Sequence, residues 1–492
     1  MEPIGTITQY FPFLDDETRR IMQSIMEKAD NYHDFVSKLK NTVLHEDPTE
    51  LLAYFALHHS GLLLDIETVQ QIADKFGKLQ LIRPSLFYAS VLQGNSDHVQ
   101  KAHEAVDAVL ETNPPDWLAL EMRCLKFEVD LLHYPKRLYD SKNVDEMESL
   151  IQSNPQLDFF NNILYDYYSE RAQRDGDFDE LVRCNELSIE YAEKSNDIVR
   201  LAYHLRSKAE YLHRTDLIEA RSVLLRAKDI MTTLGIEVGI ASILFNLSRL
   251  DAIRGEYNFA IERNLEVIRI RENLGLSLGI YALMLSTVYN AIGEPESGLE
   301  WAKLAEQDFE AHPGLKPRSI LNQAWSYCLM NRSNEAAILL DSVREMVLKS
   351  GMEGILAWFY FVTGVKDMID GNLDAGKKNI EDAMDLYEGK PFYENSLIFM
   401  HYLAQLDAIT VLTSASPVND VALNWLRHLE EKARADDLPG ILGQCLVLKA
   451  LVTRFQNDIE SFNETLYEIS AISTEPGSSF LSGPLNRLTS EG

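Results

Sequence analysis

The feature of this sequence that most restricts its fold is a short motif that returns about every forty residues. A small, a polar and a bulky residue follow one another at Gly176-Asp177-Phe178, Gly255-Glu256-Tyr257, Gly293-Glu294-Pro295 and Gly371-Asn372-Leu373. With weaker members at Thr215 and Asn331, the turn positions are 176, 215, 255, 293, 331 and 371. A fixed period of this length is the sequence signature of stacked structural repeats.

The segments on both sides of each turn have the apolar spacing of helices. Two positions of the second helix, five and twelve residues after each turn, are mostly small; they hold Leu181, Ala220, Ala260, Gly298, Ala336 and Gly376, then Ser188, Ala227, Val267, Ala305, Val343 and Ala383. Seven residues make two helical turns, so both positions lie on one face, where short side chains let a neighbouring helix approach closely. Each unit is therefore predicted to be a helical hairpin. Glycine-containing segments at 234–240, 274–280 and 351–355 are predicted to separate successive hairpins.

These repeats resemble tetratricopeptide repeats (TPR) of the forty-residue variety, as in kinesin light chains and bacterial peptide-sensing regulators. The segment Arg-Gly-Glu-Tyr-Asn-Phe-Ala-Ile at 254–261 is similar to the family's inter-helix turn, and the resemblance is specific over residues 156–390. Lys208 and Thr215 depart from the family pattern. The resemblance implies an all-α fold, a right-handed α-solenoid superhelix of about nine to ten stacked hairpins with a helical N-terminal cap. A generic array of helical hairpins is the alternative.

Three regions are predicted along the chain. Residues 1–80 are expected to form the helical cap, in which Pro48-Thr49-Glu50 begins a helix. Residues 81–471 are expected to form the solenoid. Residues 472–492 are rich in Ser, Gly and Pro and are expected to be a flexible tail.

Charge and cysteine usage restrict the classes of partner and the compartment. Acidic residues number 76 against 46 basic ones, a net charge of -30, and a polyanion needs a basic face that is not evident here. Nucleic acid is therefore not an expected partner. No uncharged apolar stretch long enough to span a bilayer and no leader pattern is evident, so we expect no membrane insertion and a cytoplasmic protein. The four cysteines are far apart and are expected to be reduced structural thiols.

The sequence contains no motif typical of a catalytic site. His45-Glu46-Asp47 precedes a proline in a polar connection, and His58 and His59 point in different directions on one helix. His98 and His103 with Glu104 are better explained by solvation or partial packing than by metal binding, and Asp436-Asp437 by solvation and the start of a helix. We therefore predict no enzymatic activity, no metal and no cofactor.

A candidate binding strip follows from the family resemblance, in which the first helix of each hairpin lines the groove. The equivalent positions hold Arg206, Asn246, Arg249, Asn290, Arg318, Asn322, Trp325, Trp358 and Phe361. Asn can pair with a peptide unit, Arg can hold a carboxylate through two bonds, and Trp offers a large apolar surface with a donor. Solvated Asn and Arg side chains with Trp in the core are the alternative.

Two functions remain open at this point. The first is a scaffold or adaptor without enzymatic activity that binds a peptide segment or a partner protein in the concave groove. The second is a regulatory sensor whose solenoid changes pitch when it binds a small peptide or ligand. An enzyme with a helical active site ranks third. The sequence does not indicate the partner's identity or the oligomeric state.

Overall fold

The computed structural model describes residues 5–46, 48–92, 98–133, 141–213, 215–309, 314–386, 393–413 and 423–490. Over these residues the regular structure is helical, without strands. The chain divides into two units, residues 1–243 with 273–276 and residues 244–272 with 277–492.

The first unit is a series of short helices followed by longer hairpins. Its helices are α1 Gly5–Thr8, α2 Asp16–Lys28, α3 Tyr32–His45, α4 Glu50–Leu62, α5 Ile66–Phe76, α6 Ile82–Leu92, α7 Val99–Leu110, α8 Asp116–His133, α9 Ser141–Ser153, α10 Asn161–Asp175, α11 Phe178–Lys194, α12 Ile198–Leu212 and α13 Leu217–Leu234. Short 3-10 turns lie at Phe11–Phe13 and Pro155–Phe160. As predicted, α4 begins after Thr49, whose hydroxyl accepts the backbone N–H of Leu52.

The second unit continues the hairpin pattern. Its helices are α14 Glu237–Ile253, which begins in the first unit, α15 Tyr257–Asn273, α16 Gly279–Ala291, α17 Pro295–Asp308, α18 Lys316–Leu329, α19 Ser333–Ser350, α20 Glu353–Ile369, α21 Leu373–Asp385, α22 Tyr393–Thr413, α23 Asn424–Ala435, α24 Pro439–Phe455, α25 Ile459–Ser473 and α26 Ser482–Ser490. A 3-10 turn at Pro476–Leu481 precedes α26.

The predicted repeat turns fall where the structure has them. Each of the six positions, from 176 to 371, lies between the two helices of a hairpin, from α10/α11 to α20/α21. Gly176 and Gly371 have φ of +77° and +81°, a region that costs glycine little because it has no Cβ. The separators at 234–240, 274–280 and 351–355 likewise lie between hairpins. The fold class is thus an all-α array of helical hairpins, as the sequence predicts.

The small residues sit at close helix crossings, which confirms their predicted role. Ala260 is fully buried, and its carbonyl accepts a hydrogen bond of 2.8 Å from the Ser248 hydroxyl of α14. Gly298 lies against the Asn290 side chain of α16, so closely that a Cβ would collide with the amide oxygen. Short side chains at these positions allow the two helices of a hairpin to pack tightly.

The N-terminal segment closes the first unit. Tyr10 packs its ring against Phe159 and Phe160 at centroid distances of 5.5 and 6.3 Å. Its hydroxyl donates to Glu121 of α8 at 2.8 Å. Gln9 reaches Asp197, 188 positions further along the chain. The start of the chain therefore contacts the interior of the hairpin array.

The second unit is closed by its C-terminal hairpin. The backbone N–H of Gly440 donates to the carbonyl of Arg254 at 3.0 Å, and the Arg254 guanidinium lies 3.2 Å from Asp437. Tyr257 packs edge-on against Phe480. The α14/α15 turn thus contacts a segment about 185 residues later, so hairpins that are far apart in the sequence pack together in this unit.

The described part of the predicted flexible tail is packed. Leu481 and Leu488 are buried in a cluster with Leu446, Ala450 and Ile469 of α24 and α25. The prediction of flexibility rested on Ser, Gly and Pro content, whereas a few apolar anchors are enough to hold a short segment in place. For residues 476–490 that prediction is wrong.

The helix α22 is the one stretch in the described residues that could cross a membrane by length and hydropathy, over Ser396–Thr413. More than half of this stretch is buried inside the protein. Its Phe399 and Leu403 belong to the same hydrophobic cluster as Trp325 of α18, and Asp407 accepts the backbone N–H of Trp425 at 2.6 Å. A core helix has the same composition, so the hydropathy is weak evidence for a membrane span.

Candidate functional site

Most of the predicted binding strip lies in the core of the second unit. Asn322, Trp325, Trp358 and Phe361 are fully buried, and Asn290 is 2% exposed. These five positions are therefore part of the packing between hairpins and not a surface for a ligand. In this respect the prediction is wrong, and the alternative that the tryptophans are core residues is confirmed.

The buried asparagines link successive hairpins through hydrogen bonds. Asn322 donates to the Thr287 hydroxyl at 2.9 Å and accepts from the Trp358 indole N–H at 2.9 Å. The Asn290 amide oxygen accepts from the Ser326 hydroxyl at 2.9 Å. These bonds satisfy polar groups that would be costly to bury alone. The amide chemistry expected to hold a peptide holds the neighbouring helix instead.

The other four predicted residues are divided between the units. Asn246 is 5% exposed on α14. Arg249 and Arg318 are partly buried and line a mainly apolar pocket of about 330 Å³ in the second unit, with Phe245, Met284 and Leu397. The guanidinium carbon of Arg318 lies 3.3 Å from the centre of a Trp358 ring. Arg206 belongs to a different cavity, within the first unit.

That cavity, called here the N-terminal cavity, has a volume of about 460 Å³. Successive first helices of the hairpins, among them α8, α10 and α12, contribute its lining residues. The residues that define it are Tyr10, His58, His59, Leu62, Leu64, Tyr88, Leu92, Glu121, Phe127, Glu128, Ile163, Asp166, Glu170, Asp197, Val199, Arg200, Tyr203, His204, Arg206, Ser207 and Val238. Its size is that of ordinary ligand-binding cavities, and it combines aromatic with ionisable side chains.

Two buried networks form the floor of the cavity. Glu121 accepts hydrogen bonds from the hydroxyls of Tyr10 at 2.8 Å and Tyr54 at 3.0 Å. Burial, together with the charge of Glu121, raises the pKa of both tyrosines well above the usual value, so they remain donors.

In the second network, Arg200 donates to Glu128 at 3.1 Å and lies 3.6 Å from Asp197. Burial opposes the charge of Arg200, but Glu128 and Asp197 hold its pKa well above the usual value. Burial raises the pKa of Glu128, and Arg200 opposes that shift. The carboxylates thus neutralise this guanidinium inside the wall.

The two adjacent histidines of α4 both face the cavity. His58 stacks between the rings of Tyr54 and Tyr88 at about 6 Å, and His59 Nδ1 shares a hydrogen bond of 2.8 Å with the Tyr32 hydroxyl. Burial lowers the pKa of His58 to about 4 and that of His59 well below its usual value. Both rings are therefore neutral at pH 7, and His58 Nδ1 and His59 Nε2 are buried without a hydrogen-bond partner.

The opposite wall carries two carboxyl groups on α10 and a histidine on α12. Asp166 lies 3.5 Å from His204 Nδ1, but this contact does not have the geometry of a hydrogen bond. His204 is 3% exposed, and neither of its ring nitrogens is hydrogen-bonded. Burial and the charges of Asp166 and Glu210 raise the pKa of Glu170 to about 7, while Arg206 opposes the shift. Glu170 has no hydrogen bond or ion pair among the described residues.

The spacing of ionisable residues in the sequence carries a signal for this site. Glu121 and Glu128 are seven residues apart on α8, Asp166 and Glu170 are four apart on α10, and Arg200, His204 and Ser207 follow the same face of α12. Spacings of four and seven place ionisable groups on one helix face. Such a face in three consecutive first helices is unusual for a core and indicates a polar interior.

The other ionisable groups considered in the sequence do not form a site. His98 shares a hydrogen bond with Ser90 at 2.8 Å, and His103 lies 3.0 Å from Asp130. Asp437 pairs with Arg254, and Asp47 lies outside the described residues. In the part of the chain that the structure describes, no three His, Cys, Asp or Glu side chains are arranged to hold a metal ion.

The comparisons with known proteins give only distant likenesses. No family model matches the sequence, and no curated protein matches it. Among solved structures, a signal-transduction ATPase with numerous domains and a tetratricopeptide-repeat sensor, from Pyrococcus horikoshii, is similar at 13% identity and a TM-score of 0.34. The match covers 98% of this chain and 66% of that one, so the chain spans just under two thirds of its length. The structure of Naa15/Naa10 bound to HypK-THB is similar at 11% identity and a TM-score of 0.28, over 93% of this chain and 84% of that one. Neither likeness identifies a function or a partner for this chain.

Proposed function

We propose that this chain is a TPR-like binding protein without enzymatic activity, in which the N-terminal cavity takes up a small ligand or the end of a short peptide. The observation that carries this proposal is an interior cavity of about 460 Å³ whose walls hold buried polar groups without partners. Unpaired polar groups are costly in a protein interior, and a ligand that pairs them recovers that cost. The proposal follows the sensor alternative.

Ligand-induced stabilisation tests this role. The melting temperature of the full chain is measured with each of a panel of neutral, anionic and cationic metabolites and short peptides. The same panel is measured with the variant Ser207→Trp, whose larger side chain narrows the cavity. A ligand of the cavity stabilises the parent and not Ser207→Trp, because binding to the native state alone raises its stability. Ser342→Trp on the exposed face of α19 is the matched control and should respond like the parent. If no compound distinguishes the parent from Ser207→Trp, the proposal fails.

A sensor differs from a passive receptor in how far the effect of the ligand extends. Each hairpin of an array contacts mainly its neighbours, so a small change in one can be passed along. Hydrogen exchange with and without ligand should slow in α10 and α12, which line the cavity. For a sensor it should also change in second helices outside the cavity, such as α11 and α13.

The scaffold function is a second candidate, supported by the pocket of the second unit. Its lining is mainly apolar and includes Arg249 and Arg318, which suits a partner segment that places an acidic residue beside apolar anchors. The double variant Arg249→Glu/Arg318→Glu should no longer capture such a partner. Arg269→Glu, on the exposed side of α15, is the control and should capture it like the parent. Equal capture by both variants would exclude this pocket.

A further inference from the structure

The charge of the N-terminal cavity indicates the kind of ligand it accepts. Five carboxyl groups line it, from Glu121, Glu128, Asp166, Glu170 and Asp197, against the two guanidinium groups of Arg200 and Arg206. His58 and His59 add no positive charge, because burial lowers the pKa of both side chains and keeps them neutral. The walls therefore carry an excess of negative charge.

The two arginines are already engaged within the walls. Arg200 is paired with Glu128 at 3.1 Å and lies beside Asp197. Arg206 donates to the Ser242 hydroxyl at 3.1 Å and lies 3.9 Å from Glu210. At Arg200, an anionic ligand would have to compete with Glu128 and Asp197 for the guanidinium group, at a cost in desolvation.

The cavity holds several polar groups without hydrogen-bond partners, among them imidazole nitrogens that can accept a hydrogen bond and the Nε of Arg206. Glu170 has no hydrogen-bond partner among the described residues, and the neutral rings of His58 and His59 each present a nitrogen without one. His204, 3% exposed, also leaves both ring nitrogens without a hydrogen bond. An ammonium group has three donors and no acceptor, so it can pair with the Glu170 carboxyl group and with the imidazole nitrogens that accept.

Aromatic rings complete the match. Tyr88, Tyr203 and Phe127 line the same space, and the face of an aromatic ring attracts a cation, more strongly where water is excluded. A metal ion would instead need several ligands converging on one point, and the described residues contain no such group of three. The cation is therefore expected to be organic.

We propose that the N-terminal cavity binds an organic ammonium group, placed between Asp166 and Glu170 of α10 and the rings of Tyr88 and Tyr203. This inference rests on the proposed ligand-binding role and names its chemistry. The ammonium group can belong to a free amine or to the N-terminus or lysine side chain of a peptide.

Calorimetric titration of the full chain distinguishes these sources. The amine probes are putrescine and spermidine, and the peptide probes are Lys-Ala-Lys and its N-acetylated form. Glutarate and 1,4-butanediol are anionic and neutral probes of similar length. Binding by the diamines alone assigns a free amine, and binding by the peptides alone assigns a peptide ammonium group. Either result supports the inference.

Two conservative variants test the position of the ligand. Glu170→Gln and Asp166→Asn should each weaken amine binding by about tenfold or more, because each removes a charged acceptor. Glu190→Gln, on the exposed side of α11, is the matched control and should bind like the parent. Circular dichroism checks that the variants are folded.

Proton release provides a readout that needs no variant. Near pH 7 a bound ammonium group favours ionised Glu170, whose charged neighbours are Asp166, Arg206 and Glu210, with His204 beside Asp166. Binding should therefore release a proton from the carboxyl group to the buffer. The measured heat should differ between phosphate and Tris buffers for the parent and much less for Glu170→Gln.

Three results would overturn the inference. In the first, glutarate or 1,4-butanediol binds while no amine probe does. In the second, none of the probes binds. In the third, the amines bind to Glu170→Gln and Asp166→Asn as tightly as to the parent. The first of these leaves the ligand-binding role of the cavity intact. That role fails separately, if Ser207→Trp never differs from the parent in the broad panel.

Discussion

Asn322 shows that a residue suited to ligand recognition can serve the protein interior instead. Its amide contacts Thr287 on one side and the Trp358 indole N–H on the other, and it is fully buried. The chemistry assigned to it from the sequence is correct, but its partners belong to the chain. Whether such an asparagine binds a ligand or a neighbouring helix depends on whether its helix face is covered by another helix. The sequence of one helix does not show this.

Replacement of this asparagine should be costly. Asn322→Ala leaves the Trp358 indole N–H without its acceptor in a buried site, so we expect a loss of about 2 to 4 kcal/mol in the free energy of unfolding. Urea denaturation measures the change. Asn334→Ala, at an exposed position of α19, is the control and should change stability by less than about 0.5 kcal/mol. Similar small effects at both positions would contradict the buried hydrogen bonds.

Glu170 makes stability depend on pH. Its pKa is raised from 4.5 to about 7, chiefly by burial, so the folded protein holds this proton more tightly than the unfolded chain does. The group therefore adds stability in full below about pH 4.5, and this contribution is lost as pH rises through 7. Each pKa unit corresponds to about 1.4 kcal/mol, which sets a limit of about 3 kcal/mol.

Glu170→Gln should remove this dependence. We expect the variant to be more stable than the parent at pH 8, by about 1 to 3 kcal/mol, and the difference to become smaller at pH 5. Urea denaturation at the two pH values measures it. Glu190→Gln should show no such change, since Glu190 is exposed. A difference that is equal at both pH values would mean that Glu170 is ionised like a surface residue.

At the scale of the helical element, positions and boundaries were predicted better than faces. The turns and separators from 176 to 371 were predicted from small residues and glycines, which act within a few residues of themselves. The tail was mispredicted because composition describes an average, whereas Leu481 and Leu488 act individually. Leu481 packs directly against Gly443 of α24, where a Cβ would collide with it.

The packed tail can be tested with one leucine. Leu481 is 1% exposed, so Leu481→Ala should leave a cavity and lower the free energy of unfolding by about 2 to 4 kcal/mol. Leu451→Ala, at a position of α24 that is 38% exposed, is the matched control and should have a much smaller effect. If both variants lose the same free energy of unfolding, or if the parent is cleaved rapidly between 476 and 490, the prediction of a flexible tail is correct.

At the scale of the whole molecule, the decisive feature is the closure of each unit. In the second unit the backbones of Gly255 and Gly440 touch, and the Gly440 N–H donates to the carbonyl of Arg254. These contacts join hairpins that are about 185 positions apart in the sequence. The N-terminal cavity lies within the first unit, and its volume of about 460 Å³ suits a small molecule or a peptide end.

Gly440→Ala should open this closure. A Cβ there would overlap the backbone of Gly255, which cannot yield as a flexible side chain can. We expect a loss of about 1 to 3 kcal/mol and faster hydrogen exchange at 254–259 and 437–444. Gly314→Ala has open space around it and serves as the control. Unchanged exchange in these two segments would show that the contact contributes little to the fold.

The sequence by itself determined the hairpin, its period and its class of fold, because turn glycines, helix spacing and small contact residues act between near neighbours in the chain. The family resemblance, and not the residue pattern alone, implied which helix of each hairpin faces inward. Only the tertiary structure decided that the arrays close, that the asparagine and tryptophan strip is core, and that a polar cavity lies in the first unit. These depend on contacts such as Gln9 with Asp197 and Tyr257 with Gln444, 188 and 187 positions apart. A repeat with a period of about forty residues contains no information on pairs so distant, since every hairpin is compatible with an open array as well as a closed one.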